Sequence, residues 1–167
     1  DEIREISSAR GASMLVRRSI FKKLDGFDEK FFVSFEDIDL GWRTWILGYR
    51  VFLAPKSIVY HLGGTTTKKI KLDIAFHGFK NQLSMKFTNF EKKQAIYRIL
   101  KFFVIYGFRE IRIWFDYKLK SKTKISSTPY ENNIAPSPSF RVILQSFVWI
   151  LKNRKYLAKK YKKINSY

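Results

Sequence analysis

Cysteine is absent from this 167-residue chain, which excludes disulfides and thiolate metal sites and is compatible with a reducing compartment. Histidine is scarce, with only His61 and His77. Proline is scarce too, and three of the four prolines (Pro129, Pro136 and Pro138) fall between Ser121 and Ser139, which reads as a linker. No charge-free window of about 20 residues exists to span a bilayer. The apolar run Phe102 to Tyr106 is closely flanked by Arg98, Lys101, Arg109, Glu110 and Arg112. The opening DEIREISSAR has no apolar h-region. Acids are rare beyond residue 67. Residues 1–67 hold ten Lys and Arg against nine Asp and Glu, while residues 68–167 hold twenty-three against five.

What is present is apolar and basic. Hydrophobic content of 46% and aromatic content of 17% exclude a disordered chain, and the length suits one domain with a real core. The net charge of +19 sits almost wholly in the second part, where it would attract polyanions such as anionic lipid head groups.

Along the chain, GASMLVRRSIF suggests a buried strand at Met14-Leu15-Val16, then a short helix capped by Ser19 and closed by Gly26. Phe27 reads as a core plug beneath the loop Gly26-Phe27-Asp28-Glu29. Ser34 stands three residues before Asp37, a capping-box spacing that starts a helix near Phe35 or Glu36. Leu40, Trp42, Trp45, Ile46 and Leu47 supply its buried face, and Gly48 ends it. Tyr49 to Ala54 and Ser57 to Tyr60 read as strands, the second ending at His61, followed by a flexible Gly63 to Thr67 loop. Phe76, Phe79, Leu83 and Phe87 recur at helical spacing, with Lys80 and Lys86 off that face and His77 packed among phenylalanines. Thr88 and Glu91 predict a second capping box, opening a helix towards Lys120. One last helix, about Phe140 to Ile164, is apolar first and lysine-rich later, a pattern suited to a membrane interface.

The acid cluster Glu36, Asp37 and Asp39 is the densest in the chain. Asp39 and Arg43 stand at the i, i+4 spacing of an ion pair, so Asp39 has a structural explanation. Asp37 is turned away from Asp39 and has two readings, a helix cap or a base facing a cleft. His61 likewise reads either as a half-buried histidine or as one ligand for a divalent ion.

The ordered series GASMLVRR, DGFDEKFF, FEDIDLGWR, GYRV, AP and VYH resembles the C-terminal half of family 2 glycosyltransferases, including rhamnosyltransferase-like members. The likeness is close from Gly11 to Gly64 and looser through the next helix, where Lys80-Asn81 matches a basic-Asn pair. It implies an α/β chain, the C-terminal part of a GT-A fold followed by amphipathic basic helices. Residues 1–67 would form the acceptor side of the catalytic domain and residues 68–120 membrane-associated helices. Residues 121–139 would form the linker and residues 140–167 a basic helix. The implied activity is inverting sugar transfer from a nucleotide-sugar donor to a lipid-linked or polysaccharide acceptor. The resemblance makes Asp37 the catalytic base, with Glu36 beside it, and sets Gly26, Phe27, Asp28 and Glu29 on the acceptor side. His61 becomes a ligand of a divalent Mg or Mn ion. The family's donor-binding half, with its Asp-x-Asp motif, has no counterpart here, so the chain reads as a fragment that is inactive alone. The expected location is the cytoplasmic face of the cell membrane, held peripherally on anionic lipid, with no nucleic acid partner. The alternative is a non-catalytic basic module for anionic membrane or nucleic acid.

Overall fold

The computed structural model describes residues 2–62, 74–120 and 140–166. The expected linker and the Gly63 to Thr67 loop lie outside them. The elements are β1 (Arg4–Glu5), α1 (Arg18–Lys23), a 3-10 turn (Glu29–Phe31), α2 (Glu36–Ile46), β2 (Phe52–Leu53), α3 (Ile74–Thr88), α4 (Lys92–Lys120), α5 (Phe140–Lys152) and α6 (Arg154–Ile164). The described part is mostly helical, with one two-stranded antiparallel sheet pairing Arg4 with Leu53 and Glu5 with Phe52.

Two cores result. In the larger, α3 packs against α4, α5 and α6. It buries Phe79, Leu83, Phe102, Val142, Ile150 and Leu157. Phe79 meets Phe102 and Tyr106 edge to face, with ring centroids 4.9 and 4.6 Å apart. Ser84, Thr88 and Ser146 are buried as well, and each hydroxyl donates to the carbonyl four residues back at 2.8 to 3.0 Å. The smaller core is Ile20, Leu24 and Leu40, with Met14, Val16, Phe21 and Leu47 packed around it.

Several expectations need correction. Met14 to Val16 belongs to no strand. Met14 and Val16 face the small core while Leu15 is fully exposed. Ser57 to Tyr60 is likewise irregular, with Ile58, Val59 and Tyr60 exposed. Ser19 is inside α1, whose N-cap is Arg17. Ser34 makes no cap bond, because it and Phe35 both take left-handed backbone at φ 66° and 69°. Thr88 belongs to the end of α3 and spends its hydroxyl on Ser84. Phe27 stays 42% exposed against the edge of Phe21, and the plug is Phe31, wholly buried. The last helix is two, broken at Asn153. Lys80, expected off the apolar face of its helix, is itself buried. Gly48, at φ 82°, does end α2 as expected, with Gly48 and Tyr49 N–H closing onto Trp45 and Thr44 carbonyls.

Candidate active site

The N-terminal segment reaches α2 by crossing Gly41. A Cβ there would lie 2.5 Å from Ser8 Cβ and 2.9 Å from Ser7 O, so only glycine admits the crossing. The Trp45 indole donates to Ile6 O at 3.1 Å, and Ile6 N–H to Val51 O at 2.9 Å, which anchors the same segment to the sheet. Gly11 is thereby set beside the start of α2. Its N–H donates to Asp37 Oδ2 at 2.9 Å, and Ile38 N–H donates to Oδ1 at 2.8 Å. Two backbone donors fix the Asp37 carboxylate and leave further lone pairs free to accept a proton.

Asp37 lies on a cavity of about 900 Å³, walled by Gly11 to Arg17, Leu40, Gly41, Thr44, Tyr49 to Phe52, Ala54 and Ser57. Most of these walls, though not Thr44, Phe52 or Ser57, come from the motifs that the resemblance rests on. Glu36 sits next to Asp37 with Oε2 buried and without a hydrogen-bond partner. Burial, with the Asp37 charge, holds its carboxyl above the usual glutamate range despite a backbone hydrogen bond.

The Gly26 to Glu29 loop does not border this cavity. Gly26, Phe27 and Asp28 line a second one of about 340 Å³ with Arg43, Tyr156 and Lys160, while Glu29 is exposed at the start of the 3-10 turn. Arg43 shapes the loop. Its Nε donates to Asp39 Oδ2 at 2.8 Å, as the i, i+4 spacing predicts, and its other nitrogens reach Leu24 O at 2.7 Å and Gly26 O at 3.0 Å. Those bonds hold the turn in which Asp25 and Gly26 have φ of 56° and 68°. Asp28 accepts from Lys30 N–H at 3.0 Å and from Tyr156 and Lys160 on α6. Lys160 also reaches Asp39 Oδ1 at 2.9 Å and caps the Phe31 ring at 4.3 Å. Burial raises the Asp28 carboxyl, but the Lys160 charge and the hydrogen bonds from Lys160, Tyr156 and Lys30 together bring it below the usual range. Burial and the bond to Asp28 push the Tyr156 hydroxyl far up.

A second brace comes from α3. Asn81 Nδ2 faces three carbonyls, Phe31 and Val33 at 2.9 Å and Ser34 at 2.6 Å. It holds the strained Ser34-Phe35 backbone that delivers Glu36 and Asp37 to the cavity. Beside it, Lys80 donates to Lys30 O and lies 4.6 Å over the Trp149 ring. Burial lowers its pKa to about 8. Lys160, Tyr156 and the bracing role of Asn81 escape a reading of the sequence. Lys160 is one of seven basic residues in its stretch, and Asn81 is signalled only as the second member of the Lys80-Asn81 pair, with nothing to say what its amide holds.

His61 is exposed and lines neither cavity. Among the described residues no three His, Asp or Glu side chains stand together as a metal site. The residues in hand therefore do not fit a complete divalent-metal centre.

The chain is 33% identical over 75 residues to the N-acetylglucosaminyl-diphospho-decaprenol L-rhamnosyltransferases of Mycobacterium tuberculosis strains CDC 1551 / Oshkosh and ATCC 25618 / H37Rv. The match covers 44% of this chain and 24% of the relatives, so the chain spans about a quarter of their length. No protein-family model and no solved structure matches it. Part of the chain is thus a distant relative of a glycosyltransferase.

Proposed function

We propose that this chain carries the acceptor-side part of an inverting, family 2 glycosyltransferase site of GT-A fold, acting on a nucleotide-sugar donor and a lipid-linked acceptor. The observation that supports the reading is the Asp37 carboxylate, held by the N–H groups of Gly11 and Ile38 on the wall of the 900 Å³ cavity. A carboxylate oriented in this way takes the proton of the acceptor hydroxyl as that oxygen bonds to the anomeric carbon. The bond from the anomeric carbon to the donor phosphate breaks on the opposite face, and the nucleoside diphosphate leaves with its electrons. Glu36 adds negative charge next to the base. His61 is kept as a single Mg or Mn ligand, and no step here depends on that ion. The Gly26 to Glu29 loop supports the acceptor side indirectly, through Arg43 and Asp39.

The test is Asp37→Asn in an active enzyme preparation, assayed with labelled donor and a lipid-diphosphate sugar acceptor. Turnover should fall roughly a thousandfold with the donor KM little changed; near-parental turnover refutes the assignment. The donor side is expected to lie outside this chain. Calorimetry should therefore register no tight nucleotide-sugar binding by these 167 residues, with or without Mn²⁺. Tight binding would overturn that part of the reading.

A further inference from the structure

Helix α4 is apolar on two opposite faces. Its inner face, with Ala95, Phe102, Phe103 and Tyr106, joins or adjoins the large core. At 3.6 residues per turn, Tyr97, Leu100, Val104, Phe108 and Ile111 line up along the other side. Each of these five is 54 to 70% exposed. A helix that needs only one apolar face to fold gains nothing in water from a second. Helix α5 repeats the pattern, burying Val142, Ser146 and Ile150 while Leu144, Phe147, Val148 and Leu151 remain 40 to 52% exposed. At the border of its inner face, Phe103 of α4 meets the outward Phe147 of α5 with ring centroids 6.3 Å apart, so the two helices touch along one edge of these surfaces.

The surroundings of this surface are basic. The α4 sequence holds eight Lys and Arg against two acids, and α5 adds Arg141 and Lys152 with no acid. Lys92, Lys93, Lys101, Arg141 and Lys152 are all exposed. None of the helices described is long and apolar enough to cross a membrane. From the apolar stripes and their cationic rim we infer that the outer face of α4 and α5 docks on the surface of an anionic bilayer. The aromatic and aliphatic side chains enter the headgroup boundary, and the rim pairs with lipid phosphates. A second copy of the chain is a poor occupant, since it would bring like charge against like. The sequence pattern gives this role to the whole of Phe140 to Ile164, lysine-rich end included, and the family resemblance extends it to residues 68–120. In the structure Lys160 and Lys163 of α6 are instead bonded to Asp28, Asp39 and Asp25, and Leu157 and Ile164 face inward. The inference stands whether or not the chain belongs to a glycosyltransferase.

The experiment is co-sedimentation of the 167-residue chain with vesicles of phosphatidylcholine alone and of phosphatidylcholine mixed equally with phosphatidylglycerol. The parent should partition onto the mixed vesicles only. The double variant V104D/F108D should lose about tenfold or more in partition. The double variant I58D/Y60D removes the same charge from an exposed site elsewhere and should lose much less. Equal loss in the two doubles overturns the inference, as does parental binding to neutral vesicles alone or to none. A parent dimer that V104D/F108D converts to monomer would assign the surface to a second copy and also overturn it. Because the chain has no cysteine, Val104→Cys and Ile58→Cys can each be labelled with a polarity-sensitive dye in an otherwise native surface. A blue shift on mixed vesicles at position 104 and not at 58 is expected; the reverse sinks the proposal.

Discussion

Up to His61, three non-glycine residues, Asp25, Ser34 and Phe35, hold left-handed backbone at φ of 56° to 69°, and regular structure is limited to two short helices, a 3-10 turn and two-residue strands. From Ile74 onward, among the described residues, the chain is helix after helix and no non-glycine residue departs from negative φ. The first region holds most of the acids and the second most of the cations. The difference teaches where the shape of the first region comes from. Besides Arg43 of its own α2, its turns are held by groups that reach in from the second: Asn81 and Lys80 on α3, Tyr156, Lys160 and Lys163 on α6. The candidate base stands on a scaffold braced from the basic half.

The strongest way to break that dependence is Lys160→Met. Lys160 is about nine-tenths buried and bridges Asp28 and Asp39. Removing it leaves buried carboxylates short of a cation, and urea denaturation at pH 7 should register a loss of about 3–5 kcal/mol. The pH dependence carries a sign. The folded pKa of Asp28 lies below its ordinary 3.8, so its stabilisation is present above that pH and lost as the pH falls through the folded value. The gap between parent and variant should therefore narrow in acid. A loss under about 1 kcal/mol would mean that the two regions do not depend on each other through this residue.

Asn81→Ala is the next largest. It strips the carbonyls of Phe31, Val33 and Ser34 of their shared donor, and a loss of about 2–3 kcal/mol is expected. In an active preparation kcat should fall while the donor KM holds, because what moves is the approach to Asp37 and not a donor contact. Equal changes in both would point to general loosening.

Lys80 sharpens the comparison from within the helical half. Its folded pKa of about 8 lies below the ordinary 10.5, so between those values the unfolded chain binds the extra proton and stability rises with pH. The rise should amount to about 2–3 kcal/mol and be absent from Lys80→Met. Denaturation at pH 7.5 and at pH 10.5, parent against variant, measures it. An identical pH slope in the two proteins would remove Lys80 as the cause.

Legibility in the sequence follows the same division. The helix at Phe76 to Phe87, the start of α2, its end at Gly48 and the Asp39–Arg43 pair are local patterns within one helical stretch, and they could be read directly. The Met14 to Val16 and Ser57 to Tyr60 segments looked like strands because they are short and apolar, but a strand also needs a partner, which the residues themselves do not announce. Phe27 and Phe31 are equivalent as letters. Only the Lys160 ammonium over the Phe31 ring and the Asn81 bond to the Phe31 carbonyl separate plug from rim. At the site, helical spacing leaves Asp37 without a partner and open to two readings, cap or base, and the resemblance alone chooses the base. Its actual partner, the Gly11 N–H, lies twenty-six residues away.

The smallest expected effect has the opposite sign. Glu36 is a buried acid of the first region for which no ion pair with the second is seen: its Oε2 is buried without a partner, and its carboxyl is held above the ordinary 4.5 by burial and by Asp37. Below pH 4.5 the folded and unfolded chains are both protonated here and nothing is lost; above it, ionisation is harder in the folded state, and the deficit is complete once the pH passes the folded pKa. Glu36→Gln should therefore raise the melting temperature slightly at pH 7 and leave it unchanged at pH 4, as read by scanning fluorimetry. An equal rise at both values would trace the gain to packing instead. If the rise at pH 7 comes with lost turnover in an active preparation, the unpaired carboxylate beside Asp37 is retained for the reaction against the interest of the fold, as strained and destabilised sites are.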